Sequence, residues 1–494
     1  MLLGAYLSGI KKRNTRSFLP PQEITLVKPT SQITRRTLLK QAAAAGVGAM
    51  ALPQIVPSSV FGADAPSKKL NIGILACGGQ ARGNMRACME SENIVAICDV
   101  DQRQVAEAKK DLGRRGVADK AKVYEDYRKL LDEEKSLDAV VIAPGQRWHV
   151  PMSKRAMLAG KHVFCEKPLA HSCAQAREIR ELAKQFPKLV TQVGSQGGST
   201  DTFRRSMEVI QAGVLGQIRE VHVWMDRGCP PSRNYDTQAD PIPPKLNWDF
   251  WCGPSKVLPF KNHYLGFCLN WGPWLEFGDG HLPDMGAHGL NLPWRALKLG
   301  APLNCSTRIP EPIKDSYPSA ADISWDFAAR GDLPAVKLWW HDGGKGPPKE
   351  LGKELLSTYK KVPGNGVLFA GEKGVLFSDC WGVGGVVKLK GDAKCRGVQD
   401  HEACKPVPVT LPRVPGQFHQ GEWLRACKDG PKTFQGFETA ASVAEIAMVG
   451  MLALRFRPGV NAVSTIEWDS EELKVKGAPE ADAVVHLPMR QKWL

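Results

Sequence analysis

Short apolar runs separated by helix-length stretches fill the chain from residue 69 to residue 193. The apolar runs predict buried strands at 69–76, 94–98, 138–143, 161–165 and 189–193. The intervening stretches predict helices at 84–91, 105–112, 124–132, 151–159 and 173–184. Regular alternation of strands and helices is typical of an α/β parallel sheet, whose ligand site lies at the carboxyl ends of its strands.

The second half of the chain shows a different pattern. Alternating apolar and polar residues predict strands at 218–224, 336–340, 367–369 and 375–377. Residues 438–454 have helical periodicity with an apolar face. We therefore expect a second domain that contains a sheet of its own.

The turn after the first strand is rich in glycine. It reads Ala76-Cys77-Gly78-Gly79-Gln80-Ala81, it opens a helix, and the next strand ends at Asp99. Glycines let the backbone approach a pyrophosphate, and a helix N-terminus offers free N–H groups to it. Asp99 is expected to bind the ribose 2′-hydroxyl and to repel a 2′-phosphate, which favours NAD over NADP. Ala76 and Ala81 replace the first and third glycines of the usual fingerprint.

Paired arginines, Arg35 and Arg36, precede a weakly apolar run at 41–56 and small residues at 63–65. This pattern is typical of a twin-arginine (Tat) signal, which exports folded proteins, and it predicts a leader at 1–65 and a periplasmic or otherwise exported protein. A basic N-terminus with an Ala-rich helix is the alternative. The run is short and rich in Ala and Gly, so no stable membrane insertion is expected.

Charge and composition narrow the list of partners. The formal net charge is +15, and the leader accounts for +6 of it. The remaining basic residues are scattered among acidic ones, without a basic stripe of interleaved aromatics, so nucleic acid is not an expected partner. No metal site is predicted, and the sequence leaves open whether Cys395 and Cys404 form a disulfide.

A series of motifs along the chain resembles those of the Gfo/Idh/MocA oxidoreductases, a family that includes glucose–fructose oxidoreductase and inositol dehydrogenase. The motifs are the glycine-rich turn, Asp99, His149, Glu166-Lys167-Pro168, 192–195, 247–254, Asp284-Met-Gly-Ala-His288 and 466–469. The resemblance implies a Rossmann NAD-binding domain at 66–195. It also implies an α+β domain at 196–494, built on an open and mostly antiparallel sheet, and a homo-oligomer, either a dimer or a tetramer.

The same resemblance assigns roles to residues at the predicted strand ends. It implies that Lys167 points at the nicotinamide and a substrate hydroxyl, and that His288, four residues after Asp284, acts as general base. Oxidation of an alcohol needs such a base while the hydride passes to the cofactor. Beside the positive nicotinamide ring, Lys167 is expected to have a lowered pKa.

Each role has a structural alternative. Glu166-Lys167-Pro168 also fits a simple turn, His288 a hydrogen-bonded helix residue and Asp284 a helix cap. Trp148, His149 and Glu166 complete the predicted cofactor set, although Pro144 makes the loop before His149 unlike that of many relatives. Candidate substrate-lining residues are Trp271, Trp274, His281, Arg204 and Arg205.

Predicted export limits the reaction, because a bacterial periplasm is not expected to supply free NAD. The first hypothesis is therefore an exported NAD-dependent oxidoreductase that acts on a sugar or polyol hydroxyl and holds its cofactor tightly. The first alternative is an NAD-assisted glycoside hydrolase that uses transient oxidation, with His281 or His263 as an additional acid–base group. The second alternative is a non-catalytic sugar-binding protein.

Overall fold

The computed structural model describes residues 68–118, 120–456 and 462–494. The predicted export leader at 1–65 lies outside the described residues. Within them, the chain forms two sheets that follow one another in sequence.

The first sheet has strand order β3-β2-β1-β4-β5-β6, and all of its pairs are parallel. Its strands are β1 Asn71–Leu75, β2 Asn93–Cys98, β3 Lys122–Tyr124, β4 Ala139–Ile142, β5 His162–Cys165 and β6 Thr191–Val193. The helices between them are α1 Gly79–Cys88, α2 Gln102–Gly113, α3 Tyr127–Glu133, α4 His149–Leu158 and α5 Cys173–Gln185. The predicted Rossmann-type α/β sheet is confirmed.

One predicted element is wrong in part. The helix expected at 124–132 begins only at Tyr127, and Tyr124 belongs to strand β3. Asp126 sets the boundary, because its side chain accepts a hydrogen bond from the backbone N–H of Arg128 and so caps the helix.

The second sheet is mostly antiparallel, as predicted, with order β14-β13-β12-β11-β7-β10-β9-β8-β15-β16. Its strands are β7 Ile218–Met225, β8 Asn304–Arg308, β9 Asp322–Phe327, β10 Val336–His341, β11 Asn365–Gly371, β12 Gly374–Ser378, β13 Val386–Leu389, β14 Arg396–Gly397, β15 Ser464–Asp469 and β16 Lys474–Val475. Among the described strands of this sheet, β7 and β10 form the parallel pair.

Helices of the second half cover this sheet and the gap between the sheets. They are α6 Asp201–Gln211, α7 Trp248–Cys252, α8 Cys268–Trp271, α9 His281–Gly289, α10 Asn291–Ala296, α11 Lys349–Leu356, α12 His419–Ala426, α13 Phe437–Arg455 and α14 Asp482–Val485. Single 3-10 turns occur at Gln146–Trp148, Gln196–Ser199, Asn262–Tyr264, Pro415–Gln417, Pro479–Ala481 and Gln491–Trp493.

Helix α13 joins the two hydrophobic cores. Phe437, Ala440 and Ala444 pack into the core under the first sheet, while Val443 and Ile446 pack into the core of the second. The helix is long and apolar enough to cross a membrane by length and composition, but 83% of its most apolar window is buried inside the protein. Burial on both sides explains its apolar sequence, as in a core helix.

The cysteines do not form disulfides. All thirteen lie among the described residues and all are free. Cys395 belongs to the small core under α11, whereas Cys404 belongs to the large core of the second sheet. Cys395 and Cys404 therefore do not form the disulfide that the sequence left open.

Candidate active site

The glycine-rich turn lies between β1 and α1, at the carboxyl end of the first sheet. Gly78 and Gly79 lead into the helix, and a Cβ added at Gly79, where φ is +39°, would meet nothing within 4 Å. Within the described chain, α1 has no side-chain N-cap and no acidic residue in its first turn. Its first N–H groups therefore remain available to an anion, with the partial positive charge of the helix end behind them.

The two alanines that replace glycines are in different environments. Ala76 has φ +76°, in the left-handed region that favours glycine, and its side chain is only partly buried. Ala81 is completely buried on α1. Gln80 lies between the two alanines in the sequence, as the second residue of α1, and it is exposed.

Asp99 follows β2 and faces the glycine-rich turn. Its Oδ2 accepts a hydrogen bond from the backbone N–H of Cys77 at 2.7 Å, and its Oδ1 accepts one from that of Asp101 at 2.8 Å. Burial raises the pKa of Asp99 to about 6, against the opposing effect of these hydrogen bonds. The carboxylate thus holds the turn and is positioned beside the expected ribose.

Lys167 and Asp284 form a close ion pair between the two domains. Lys167 follows β5 and is joined to Pro168 by a cis peptide bond. Its Nζ donates to Asp284 Oδ1 at 2.5 Å and to the Asp284 backbone oxygen at 3.2 Å. The two side chains are 19% and 9% exposed, so the pair is largely shielded from water. The sequence motifs predicted that these residues share a site, and the structure brings them together.

The predicted lowering of the Lys167 pKa is wrong for this structure. Burial alone lowers the pKa, but the charge of Asp284 and the hydrogen bond to it raise the pKa overall. The same pair lowers the pKa of Asp284 against the opposing effect of its burial. The prediction took the positive charge of a bound nicotinamide ring into account, but not the negative charge of Asp284.

Helix α9 carries the other predicted catalytic groups. Asp284 lies in its first turn, where the helix dipole favours a carboxylate, and His288 follows one turn later on the same face. Ser195 Oγ fixes the helix to the first domain by donating to the Ala287 backbone oxygen at 3.0 Å. Burial, with the nearby charge of Lys167, lowers the pKa of His288 to about 3, so its imidazole is neutral near pH 7.

Three buried side-chain atoms on this helix lack hydrogen-bond partners among the described residues. They are His281 Nδ1, Asp284 Oδ2 and His288 Nδ1. An unsatisfied buried polar atom is costly and is common where a ligand completes the site. Asp284 Oδ2 and His288 Nδ1, on one face of α9, therefore remain available to a ligand.

Glu166 belongs to a network that connects the nucleotide turn with the second half of the chain. Asn84 on α1 donates to its Oε1 at 2.9 Å, and Gln420 donates to Asn84 Oδ1 at 2.8 Å. Burial raises the pKa of Glu166. A Cβ at Gly194 would lie 2.3 Å from its carboxylate, so a glycine is required there. Glu166 therefore positions α1 against the Lys167 turn.

His149 and Trp148 are structural residues in this chain. His149 is buried, with Nδ1 2.6 Å from the Pro168 carbonyl oxygen and Nε2 3.2 Å from that of Pro144. It thus connects the loop after β4 to the turn that carries Lys167. Trp148 is buried between Tyr127 and Phe250. His149 thus positions the turn that carries Lys167, and Trp148 packs in the core below the loop after β4.

Several predicted lining residues lie elsewhere. Arg204 is buried and donates to Glu422 Oε1 at 2.7 Å, and Arg205 pairs with Glu208 at 3.2 Å, so both arginines are structural. Trp274 is buried in an aromatic cluster with Tyr264, and His263 stacks on it. Trp271 is partly buried and packs against that aromatic cluster. His281 is buried on α9, where it contacts Arg227.

Two residues at the site were missed by the sequence analysis. Arg227, just after β7, has its Nη2 3.7 Å from Asp284 Oδ2, and its Nε donates to His281 Nε2 at 3.0 Å. Trp381 is 37% exposed and its ring lies 6.1 Å from that of His288. The sequence offers one weak signal for each of them. Arg227 closely follows an alternating strand, and Trp381 lies in a glycine-rich loop.

The residues present fit a dinucleotide. The turn at 76–81 offers a glycine-lined approach and an open helix end for a pyrophosphate, and Asp99 is oriented by backbone N–H groups for a ribose. Lys167 follows β5, two strands from β1 in the same sheet, and Asp284 reaches it from helix α9, which also carries His288. Among the described residues, no cluster of three or more His, Cys, Asp or Glu side chains is arranged to hold a metal.

Comparison with known proteins agrees with this geometry. Residues 70–194 match the family model described as "Oxidoreductase family, NAD-binding Rossmann fold" (GFO_IDH_MocA). Glycosyl hydrolase family 109 protein 2 of Shewanella sp. (strain ANA-3) is 35% identical over 138 residues, which are 27% of this chain and 30% of that protein. Inositol 2-dehydrogenase of Azotobacter vinelandii is 29% identical over 156 residues, 31% of this chain and 44% of that protein. The chain thus spans less than half the length of these two relatives.

Solved structures are similar over most of the chain in fold alone. A levoglucosan dehydrogenase in complex with NADH and L-sorbose has a TM-score of 0.53 and 15% identity, and the match covers 82% of this chain and 100% of that one. An inositol dehydrogenase homolog from Azotobacter vinelandii, complexed with NADH and myo-inositol, has a TM-score of 0.52 and 16% identity. That match covers 81% of this chain and 98% of the other. Both domains therefore share their architecture with these proteins.

Proposed function

We propose that the chain is a member of the Gfo/Idh/MocA oxidoreductase family, whose model with its NAD-binding Rossmann fold matches residues 70–194, and that it oxidises a hydroxyl group of a sugar or polyol. The observation that carries this proposal is the Lys167–Asp284 pair at 2.5 Å, with neutral His288 one helical turn away. The relatives named for inositol 2-dehydrogenase activity, and the neighbouring structures named with sugars and NADH, support the substrate class.

Each residue has a defined task in this proposal. NAD, when bound at the glycine-rich turn, supplies the hydride acceptor. Lys167 donates a hydrogen bond to the oxygen of the reacting hydroxyl, and Asp284 holds the ammonium group in place. His288 Nδ1, which is free of hydrogen bonds in the described chain, accepts the hydroxyl proton. The C–H hydrogen leaves as the hydride, so the products are a carbonyl compound, a reduced cofactor and a protonated imidazole.

We further propose that the protein is exported with its cofactor already bound. The support is the paired arginines at 35–36 followed by a weakly apolar run. A folded protein that leaves the cytoplasm carries what it has bound, and a site where free NAD is scarce favours slow cofactor release. Replacement of both arginines by lysine, with cell fractionation, tests export: the protein is expected to move from the periplasmic to the cytoplasmic fraction.

The first experiment is mass spectrometry of small molecules released when the purified exported protein is denatured. Near-stoichiometric NAD or NADH supports a tightly held cofactor. An empty protein that still binds added NAD contradicts the captive cofactor and leaves the oxidoreductase assignment intact. A protein that is empty and binds no NAD refutes the enzyme and favours a sugar-binding protein.

Turnover is then measured as NADH absorbance with a panel of hexoses, pentoses and inositols. Lys167→Met and His288→Gln are the matched variants, because both are expected to remove turnover while the glycine-rich turn still binds NAD. Loss of NAD binding in both variants would show instead that these residues belong to the cofactor site alone.

A second candidate function is an NAD-assisted glycoside hydrolase. It is favoured by the 35% identity, over 138 residues, to glycosyl hydrolase family 109 protein 2. In that reaction a sugar hydroxyl would be oxidised transiently, the new carbonyl would make a neighbouring C–H acidic, and the aglycone would leave by elimination. Water would then add to the resulting double bond, and the hydride would return to the carbonyl. Release of p-nitrophenol from nitrophenyl glycosides without net NADH would support it. NADH accumulation with free sugars and intact glycosides would support the dehydrogenase.

A further inference from the structure

A chain of buried polar contacts positions Arg227 beside the Lys167–Asp284 pair. Its base is Asp342, whose carboxylate accepts hydrogen bonds from the Ala321 backbone N–H at 2.6 Å and from Trp340 Nε1 at 3.0 Å. Asp342 Oδ2 lies 3.7 Å from Nδ1 of buried His281. His281 Nε2 then accepts a hydrogen bond from Arg227 Nε at 3.0 Å.

The direction of this last hydrogen bond defines the state of His281. An Arg Nε–H can only donate, so Nε2 of the imidazole carries no proton. The ring is then the neutral tautomer with its proton on Nδ1, which faces the Asp342 carboxylate. The imidazole therefore serves as a fixed acceptor that orients the guanidinium and adds no charge.

The outer end of the guanidinium is left open. Its side chain is 44% exposed, and within the described residues its two Nη atoms make no hydrogen bond. The closest acidic group, Asp284 Oδ2, is 3.7 Å from Nη2, beyond hydrogen-bond distance, and Asp284 is already paired with Lys167. Arg227 thus presents two unpaired Nη donors next to the carboxylate that holds Lys167.

We propose that Arg227 binds a carboxylate on the substrate, so that the substrate is an acidic sugar such as a uronic acid. This inference rests on the proposed oxidoreductase function and specifies its substrate class. Lys167 Nζ donates to Asp284 Oδ1, and Arg227 Nη2 lies 3.7 Å from Oδ2 of the same carboxyl group. One sugar ring with a carboxylate at one end can therefore reach both cations. The planar fork of an arginine matches a carboxylate in two parallel hydrogen bonds, which a neutral hydroxymethyl group does not reproduce.

The test compares matched pairs of ligands that differ only at C6. Glucuronate, galacturonate and mannuronate are each compared with glucose, galactose and mannose, by saturation-transfer NMR and calorimetric titration of the full-length exported protein with and without NADH. The wild-type protein is expected to bind at least one uronate ten times more tightly than its neutral partner or better. Arg227→Gln is expected to remove that ratio, and Arg227→Lys to keep part of it.

Arg219→Gln is the matched control, because Arg219 is an exposed arginine of β7, the strand that precedes Arg227, and bonds only Gln217 among the described residues. It removes the same charge and is expected to leave the ratio unchanged. The inference is overturned if the wild type prefers no uronate, or if the preference survives Arg227→Gln in a variant with a normal melting curve. Should Arg227→Gln fail to fold, Arg227→Lys and the wild-type ratio still decide.

Failure of the inference and failure of the proposed function give different results. Uronate binding that depends on Arg227, without NADH formation from any sugar, retains the binding role and refutes the dehydrogenase. NADH formation from neutral sugars alone, unchanged in Arg227→Gln, retains the dehydrogenase and refutes the acidic substrate.

Discussion

Replacement of Ala76 by glycine is expected to stabilise the protein, although it removes a methyl group. Ala76 occupies the first turn of the nucleotide site with φ +76°, where a Cβ crowds the backbone. An L-residue in the left-handed region costs about 1–2 kcal/mol. Glycine removes that cost but loses about 0.5–1 kcal/mol through the greater freedom of the unfolded chain. The expected net gain is therefore about 0.75 kcal/mol, within a range of about 0 to 1.5 kcal/mol.

Ala81→Gly is the matched control, since the same substitution is made five residues later in a helix. Ala81 is fully buried on α1, with normal helical backbone. The change is expected to cost about 1 kcal/mol of helix propensity and about 0.8 kcal/mol for the lost buried methyl. The unfolded-state contribution of glycine is common to both variants, so their difference reports the folded state.

Thermal unfolding followed by circular dichroism measures both effects. With an unfolding entropy of about 2.1 cal/mol/K per residue, 1 kcal/mol corresponds to about 1 °C for a chain of this size. Ala76→Gly is thus expected to raise Tm by up to about 1 °C, and Ala81→Gly to lower it by about 2 °C. Titration with NAD is expected to show tighter binding by Ala76→Gly. A lower Tm for Ala76→Gly would refute the argument from backbone strain.

Three further predictions concern the charges of the site. The pKa of Asp99 is about 6, so its carboxylate is charged above pH 6 and neutral below it. The affinity for NAD, measured by calorimetry, is therefore expected to fall severalfold from pH 7 to pH 5. In Asp99→Asn the affinity is expected not to change with pH over this range. Asp284→Asn removes the charge that raises the pKa of Lys167, so Lys167 is expected to lose its proton at lower pH and the alkaline limb of the rate profile to move downward; an unmoved limb would contradict the coupling. His288→Gln is expected to lower kcat by about 10²–10⁴ while the Kd for NAD stays within threefold, and equal losses in both would argue for a structural role.

The sequence predicted the core of the site because its signals are local. The i, i+4 spacing of Asp284 and His288 requires only that the segment is helical, and α9 meets that condition. The glycine-rich turn and Asp99 follow from the order of strand, turn and strand. Lys167 follows a strand at the sheet edge where ligands bind. In each case the residues next to it in the sequence are enough to predict where the candidate residue lies.

Roles that depend on distant partners were not predictable in this way. Arg204 looks like a solvent-facing cation in the sequence, but Glu422, more than two hundred residues later, neutralises it in the interior. His149 was expected to contact the cofactor, but its nitrogens face backbone carbonyl oxygens. The pKa of Lys167 rose because its carboxylate partner comes from the other domain. Sequence spacing carries no information about such pairs.

The C-terminal residues return to the first domain and close its outer surfaces. Trp423 on α12 packs edge-on against Phe164 of β5, and Trp493 stacks on Phe250 at 4.0 Å while its carbonyl oxygen accepts a hydrogen bond from Tyr127. The nucleotide-binding half thus acquires this hydrophobic cover only after Trp423 and Trp493 have been synthesised. An N-terminal half that is still on the ribosome lacks both contacts, so its folding is expected to finish only once the second half has been added.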